Sequence, residues 1–191
     1  MGMQGQSAAG PVITSLRQAT SNLHRRIEQR FDAVAELAEP SRRPGIVRRY
    51  AAFYYPAHRT LAGDLETVHG LDYNQRSALW RAALSEQLET QTLSVFPRPS
   101  DRSEALGLYY VVEGSMLGGR YILRQLRLLG VEDAGLSFLD PYGSVAGSMW
   151  RSLIGVLERE GARDPAALER MCRGAARGFL FAERVLCGDV E

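Results

Sequence analysis

The stretch LYYVVEGSMLGGRYILRQLR, residues 108–127, decides the fold of this chain, because it combines a helical pattern with three interior glycines. Each of Gly114, Gly118 and Gly119 costs about 0.8–1 kcal/mol relative to alanine inside a helix. Gly114 and Gly118 are four residues apart, so they share one helix face and present bare backbone. Such a strip suits either a closely crossing helix or a planar ligand. The apolar residues recur every three to four positions: Leu108, Val111, Val112, Leu117, Ile122, Leu126 and Leu129.

The same periodicity extends over the rest of the chain and predicts an all-α single domain, with no alternation that indicates a strand. Caps are expected at Thr14 or Ser15 for the first helix, at Ser100 or Asp101 for the glycine-bearing helix, and at Asp164 for the last one. Residues 1–13 are small, polar and glycine-rich and are expected to form a disordered leader before a domain over 14–191. Six helices are predicted, over residues 14–38, 44–68, 73–88, 101–129, 144–160 and 166–186.

Composition narrows the class of protein. The 23 basic residues, all arginine, nearly balance 22 acidic ones, so net charge does not favour nucleic acid or an acidic membrane surface as partner. Apolar runs are too short for a membrane span, and Cys172 and Cys187 are too few for a disulfide framework. No secretory signal is recognisable, so a soluble, cytoplasmic protein is expected.

The first predicted helix carries the first candidate site. His24 borders the apolar stripe, and Glu28 one turn later can accept the proton of one ring nitrogen and leave the other for a metal. A solvated histidine with an ordinary i,i+4 partner is the competing interpretation. Arg17, two turns before His24, is either a solvated arginine or the partner of an acidic group on a ligand.

Other patterns leave further alternatives open. The chain has no P-loop, dinucleotide fingerprint, nucleophile elbow or zinc-type spacing. Tyr109 and Tyr110 precede the glycines and are either core aromatics or hydroxyl donors at a pocket rim. Phe179 and Phe181 are expected in the core. The arginines of the second helix are either a solvated face or a docking site for an acidic partner: Arg42, Arg43, Arg48 and Arg49.

Two stretches together resemble the haem oxygenase family, in particular its bacterial members that supply biliverdin to phytochromes: LRQATSNLHRRIE at residues 16–28 and YYVVEGSMLGGR at residues 109–120. The order of helices and the late segment PAALERMCRGAARGFLFAERVL fit the same resemblance. It implies a haem-oxygenase-like helical domain with haem b held between the first helix and the glycine helix.

The resemblance also assigns roles to residues. His24 is implied as the iron ligand and Glu28 as its partner; Gly114 and Gly118 match the distal glycines. Arg17, Tyr109 and Arg151 are implied as propionate contacts. Many family members carry an aspartate after the first distal glycine, whereas this chain has Ser115, which can hold water but not the same charge.

The activity implied by the resemblance is cleavage of haem at a meso carbon to biliverdin, CO and Fe²⁺. Haem is then both substrate and cofactor, and an external donor such as a ferredoxin or reductase supplies electrons. A bilin-accepting phytochrome is a further partner of the phytochrome-associated branch. Two alternatives use the same fold: a non-enzymatic haem carrier or sensor, which Ser115 favours, and a haem-free relative.

Overall fold

The computed structural model describes residues 10–84 and 95–188, which form seven α-helices and no strand, so the all-α prediction is confirmed. No helix in these two ranges is long and apolar enough to cross a membrane. Two 3-10 turns, Ser137–Leu139 and Gly143–Val145, lie before the sixth helix. The helices are α1 (Pro11–Arg30), α2 (Ala33–Ala38), α3 (Arg43–Leu65), α4 (Tyr73–Ala83), α5 (Arg102–Leu128), α6 (Ala146–Gly161) and α7 (Pro165–Leu186).

The start of α1 differs from the sequence prediction. The helix begins at Pro11, ahead of both expected caps, and Val12 and Ile13 are buried. Residues 11–13 therefore belong to the folded domain, because proline suits the first turn and the two apolar side chains enter the core. Residues 1–9 of the predicted leader lie outside the described residues, as does Leu88, the predicted end of the third helix.

The prediction of a single first helix over residues 14–38 is wrong. The structure has two helices in this range, because the helical backbone is interrupted between α1 and α2. Phe31 is extended, with φ of −138°, and its side chain is buried. Asp32 then caps α2 by accepting a hydrogen bond from the Ala35 N–H at 3.0 Å. Burial of the Phe31 ring and the new cap together compensate for the interrupted helical bonds.

Helix α7 supports both helices that carry the candidate site, since α5 and α1 each pack along it. The α5–α7 crossing is close because Gly107 and Gly174 lack side chains. A Cβ at Gly107 would overlap the Met171 carbonyl, and one at Gly174 would overlap the Glu104 carbonyl. On α5, the glycine that permits the tight crossing is therefore Gly107, about two turns before Gly114, and on α7 it is Gly174.

The amino-terminal end of α1 is fixed by a neighbouring helix. Gly10 offers no capping side chain. Instead, Glu158 of α6 accepts hydrogen bonds from the N–H groups of Val12 at 3.2 Å and Ile13 at 3.0 Å. A carboxylate at a helix amino terminus satisfies orphan donors and complements the helix dipole.

The carboxyl-terminal end of α1 is fixed by α7. Glu183 accepts hydrogen bonds from Arg26 Nε at 2.7 Å and Arg30 Nη1 at 2.8 Å. These charge-assisted bonds, first that from Arg26, lower the pKa of Glu183. Side chains of α6 and α7 therefore hold the two ends of α1.

The predicted caps at Asp101 and Asp164 are confirmed. Asp101 accepts from the Glu104 N–H at 2.9 Å, and Asp164 accepts from the Ala167 N–H at 2.6 Å. Glu104 in turn accepts from the Ser100 N–H at 2.7 Å, which completes a reciprocal capping arrangement at the start of α5.

Glu104 provides a prediction about pH. Burial by itself raises the pKa of this carboxyl, but hydrogen bonds from Ser100 and Arg177 outweigh burial and lower the pKa to about 2. The unfolded chain therefore binds more protons between about pH 4.5 and pH 2, so the contribution of Glu104 to stability is full above this window and is lost as pH falls through it. Glu104→Gln should be less stable than the wild type at pH 7, with the difference shrinking below pH 4.5 in urea unfolding.

The exposed Glu169 of α7 supplies the matched control, because Glu169→Gln should unfold like the wild type at every pH. If the difference in free energy of unfolding between Glu104→Gln and the wild type stayed constant down to about pH 2, the lowered pKa of Glu104 would be contradicted.

The arginine run at the start of α3 is mainly structural. Arg42 pairs with Glu36 of α2 at 2.6 Å, and Arg43 Nε donates to the Leu37 carbonyl at 2.8 Å. Arg49 Nη1 donates to the Leu186 carbonyl at 3.1 Å, at the end of α7. Three of the four arginines thus connect α3 to other helices. The sequence analysis had considered only a solvated face or a docking site for this run.

Candidate functional site

A cleft of about 250 Å³ lies between α1 and α5. Its walls are mostly apolar, with α3, α6 and α7 contributing Phe53, Trp150 and Phe179. Two further spaces, of about 390 Å³ and 340 Å³, adjoin it, and both also contact His24 and Glu28. The cleft is therefore open along α1 and can admit a flat ligand larger than its central volume.

His24 lies on the α1 wall of this cleft. Its Nδ1 is 3.3 Å from Glu28 Oε2, and its ring meets the Phe179 ring edge-on with centroids 5.6 Å apart. A proton on Nδ1 directed at the carboxylate leaves the lone pair on Nε2. The His24 side chain is 59% exposed, because the cleft that it faces is open to solvent.

The opposite wall is the glycine strip of α5. Gly114 and Gly118 both line the cleft. A Cβ at Gly118 would meet no atom within 4 Å, and one at Gly114 would only touch Trp150 at 4.0 Å. No helix of residues 10–84 and 95–188 crosses at these two glycines, so within this range the interpretation of Gly114 and Gly118 as a helix crossing is wrong. Gly119 is different, because a Cβ there would clash with the Leu139 carbonyl.

One end of the cleft carries a positive charge. Arg17 and Tyr110 both line the cleft, and Arg17 lies close enough to affect the ionisation of the Tyr110 hydroxyl. Burial raises the pKa of Tyr110, and the neighbouring cation partly opposes that shift. An arginine and a tyrosine hydroxyl at one edge of an apolar cleft form a suitable site for a carboxylate.

Tyr109 is a core aromatic, one of its two alternatives, and does not fit the propionate contact that the resemblance implies. This side chain is fully buried, and its hydroxyl donates to Glu113 Oε1 at 2.8 Å. Tyr142 donates to the same oxygen at 2.7 Å, and Arg76 pairs with the other oxygen. The cluster lies on the side of α5 away from the cleft, so Tyr109 cannot contact a ligand there.

Helical spacing explains the correction. Tyr110, Gly114 and Gly118 are each four residues apart and share one face, whereas Tyr109 shares a face with Glu113. The signal for Tyr110 was therefore present in the sequence.

Arg151 is also not placed in the cleft: it is exposed on α6, and its neighbour Trp150 lines the wall instead.

Ser115 lines the cleft and has a buried partner. Its Oγ donates to the Val112 carbonyl at 2.6 Å. The Tyr54 hydroxyl lies 2.9 Å from the same Oγ and must be the donor, since the single serine proton is already engaged. Burial raises the pKa of Tyr54, which keeps this donor protonated. One lone pair of Ser115 remains for a donor in the cleft.

Several cleft residues were not identified from the sequence. Phe179 was expected in the core, and Phe53 and Trp150 carried no local signal, because their position depends on how α3, α6 and α7 pack. Arg17, His24, Glu28, Gly114, Ser115 and Gly118 are brought together as expected.

The chain is similar in sequence to a curated protein. A curated relative named "Heme oxygenase", from Xanthomonas campestris pv. campestris (strain 8004), is 29% identical over 154 residues, covering 74% of this chain and 91% of the relative. The similarity supports the haem oxygenase family. No family model matches the chain, and no solved structure matches it.

Proposed function

We propose that this protein is a haem oxygenase of the biliverdin-producing type. Haem would be cleaved at a meso carbon to biliverdin, CO and Fe²⁺, with dioxygen and electrons from an external donor. The observation that carries this proposal is that one imidazole and a strip of bare backbone face each other across an apolar cleft. The similarity to the curated "Heme oxygenase" supports it.

The residues present fit haem b. His24 offers one imidazole nitrogen, which is the usual proximal donor for haem iron. Gly114 and Gly118 leave the opposite wall free of side chains, so a flat macrocycle can lie against the main chain. Bound haem supplies the iron at which dioxygen is reduced, and it is also the substrate.

The residues at the edge of the cleft orient the substrate. Arg17, beside Tyr110 in the cleft lining, is the proposed partner of a haem propionate. Its charge at one end of the cleft distinguishes the propionate edge of haem from the apolar edges, which selects the meso carbon presented to the distal wall. Glu28 holds the His24 ring in one orientation.

Ser115, with the buried Tyr54 behind it, forms the polar part of the distal wall. Both groups are neutral hydroxyls, so this wall offers hydrogen bonds but no negative charge. Tyr54 donates to Ser115 Oγ, and the remaining serine lone pair can order a water molecule in the cleft. Ser115 is in this way the proposed substitute for the aspartate common in the family.

Tyr54→Phe tests this arrangement. The change removes one hydrogen bond to Ser115 and little volume, so haem affinity should stay within about twofold of the wild type while the rate of bilin formation falls about threefold to tenfold. Haem titration and single-turnover spectra measure the two effects. In a Ser115→Ala background the Tyr54→Phe change should add nothing; an additive loss would show that Tyr54 acts elsewhere.

The partners follow from the same proposal. A ferredoxin or a reductase would donate electrons, and a bilin-accepting phytochrome would receive the product. A cytoplasmic location stays a prediction from the sequence.

One experiment decides the function. The purified protein is titrated with haem, its spectrum is recorded, and a reductant is then added under air. A shifted Soret band followed by a bilin pigment supports the proposal. A stable ferrous-oxy spectrum without bilin would identify a haem carrier or sensor, and absence of any Soret shift would identify a haem-free relative.

A further inference from the structure

The half of α1 that carries His24 is packed less firmly than the other half. Among residues 21–30, all of which the structure describes, no side chain is buried, and the next buried side chain is that of Phe31. Apolar burial therefore fixes residues 11–20 but contributes less to the position of the turn with His24. The buried side chains of α1 are Val12, Ile13, Leu16 and Thr20.

Polar contacts to Glu183 of α7 hold the second half of α1. Arg26 Nε donates to the Glu183 carboxylate at 2.7 Å, Arg30 Nη1 donates at 2.8 Å, and Arg26 Nη2 makes a further contact. The Glu183 side chain is only 9% exposed, whereas those of Arg26 and Arg30 are 48% and 39% exposed. Three charge-assisted hydrogen bonds thus join the last two turns of α1 to one nearly buried carboxylate.

The same face of α7 also contacts the imidazole. Phe179 lies one turn before Glu183, and residues four apart share a helix face. The Phe179 ring meets the His24 ring edge-on, with centroids 5.6 Å apart. This face of α7 therefore acts on His24 in two ways, because Phe179 touches its ring while Glu183 holds the backbone that bears it.

We propose that Glu183 is a positioning residue for His24, because it holds the second half of α1 against α7 and keeps the imidazole facing the glycine strip of α5. Glu183 does not line the cleft, so it acts through the helix and not on the ligand. Its effect on haem rests on the proposed function, whereas its effect on α1 can be measured without haem.

Glu183→Gln tests the proposal, because it keeps the size of the side chain and removes the charge that Arg26 and Arg30 share. In the haem-free protein, the backbone amides of residues 24–28 should exchange hydrogen about tenfold faster than in the wild type. In the haem complex, haem should dissociate about tenfold faster, and the iron–histidine stretching band in resonance Raman spectra should broaden.

Glu158→Gln is the matched control, since Glu158 holds the other end of the same helix through the N–H groups of Val12 and Ile13. It should lower the urea midpoint as Glu183→Gln does, yet leave amide exchange at residues 24–28 and both haem measurements at wild-type values. Equal changes in the two variants would reveal a general loss of stability and overturn the proposal. Wild-type exchange and haem dissociation in Glu183→Gln would overturn it as well.

Arg26→Gln is a milder variant that tests the same contact should Glu183→Gln fail to fold, because Arg30 still neutralises Glu183. Amide exchange at residues 24–28 should be about threefold faster, and adding Arg26→Gln to Glu183→Gln should raise the rate no further. An unchanged rate in Arg26→Gln would show that this contact does not hold the helix. If the wild type gave no Soret shift, the proposed function would fail, and the exchange measurements would still confirm or overturn the anchoring of α1 by Glu183.

Discussion

Replacement of His24 with alanine is expected to lower the rate of bilin formation at least about 100-fold, because the cleft then has no imidazole to ligate iron. The Soret band of the haem complex should change as well, since the haem would no longer be fixed at one coordination position. Added imidazole should restore part of the original spectrum by filling the space of the missing ring.

The chain offers a control for this variant. His69 is exposed between α3 and α4 and does not line the cleft, so His69→Ala should bind and turn over haem as the wild type does. Glu28→Gln should have an effect between those of His24→Ala and His69→Ala. Haem binding should be about tenfold weaker, because the His24 ring loses the carboxylate that orients it. Bilin output near the wild-type rate from His24→Ala would contradict the proposed function.

Replacement of Gly118 with leucine is expected to weaken haem binding at least about tenfold or to change which meso carbon is cleaved. The wild-type strip leaves space above Gly118, with no atom within 4 Å of a Cβ. A leucine would fill the space proposed for the macrocycle, and overpacking of this kind typically costs about 1–3 kcal/mol. Haem titration and separation of the bilin isomers measure the two outcomes.

Two matched variants isolate this effect. Gly63 is an exposed glycine of α3 that also has no neighbour within 4 Å, so Gly63→Leu should leave affinity and isomer unchanged. Gly119→Leu should instead unfold or strongly destabilise the protein, because any Cβ there meets the Leu139 backbone. If Gly118→Leu gives wild-type affinity and products, the strip does not face the substrate.

Much of the site could be predicted because its residues follow local rules. His24 and Glu28 are one turn apart on α1, and Gly114 and Gly118 are one turn apart on α5, so spacing alone puts each pair on one face. The choice between Tyr109 and Tyr110 was equally local, since only Tyr110 continues the face of the glycines. The resemblance pointed to Tyr109, which does not line the cleft.

The remaining residues depend on packing between helices. Trp150, Phe53 and Phe179 come from three different helices, and nothing near them in the sequence indicates a cleft. Arg151 illustrates the same limit. It is exposed to solvent, whereas its neighbour Trp150 on α6 lines the wall of the cleft.

The sequence by itself determined that the chain is helical, where most helices begin, and which turns of α1 and α5 face the cleft, because periodicity, caps and glycines act within a few residues. Only the tertiary structure decided that Gly114 and Gly118 are open while Gly107, Gly119 and Gly174 are packed. That difference depends on which neighbouring backbone lies above each glycine, and contacts between residues distant in sequence set it.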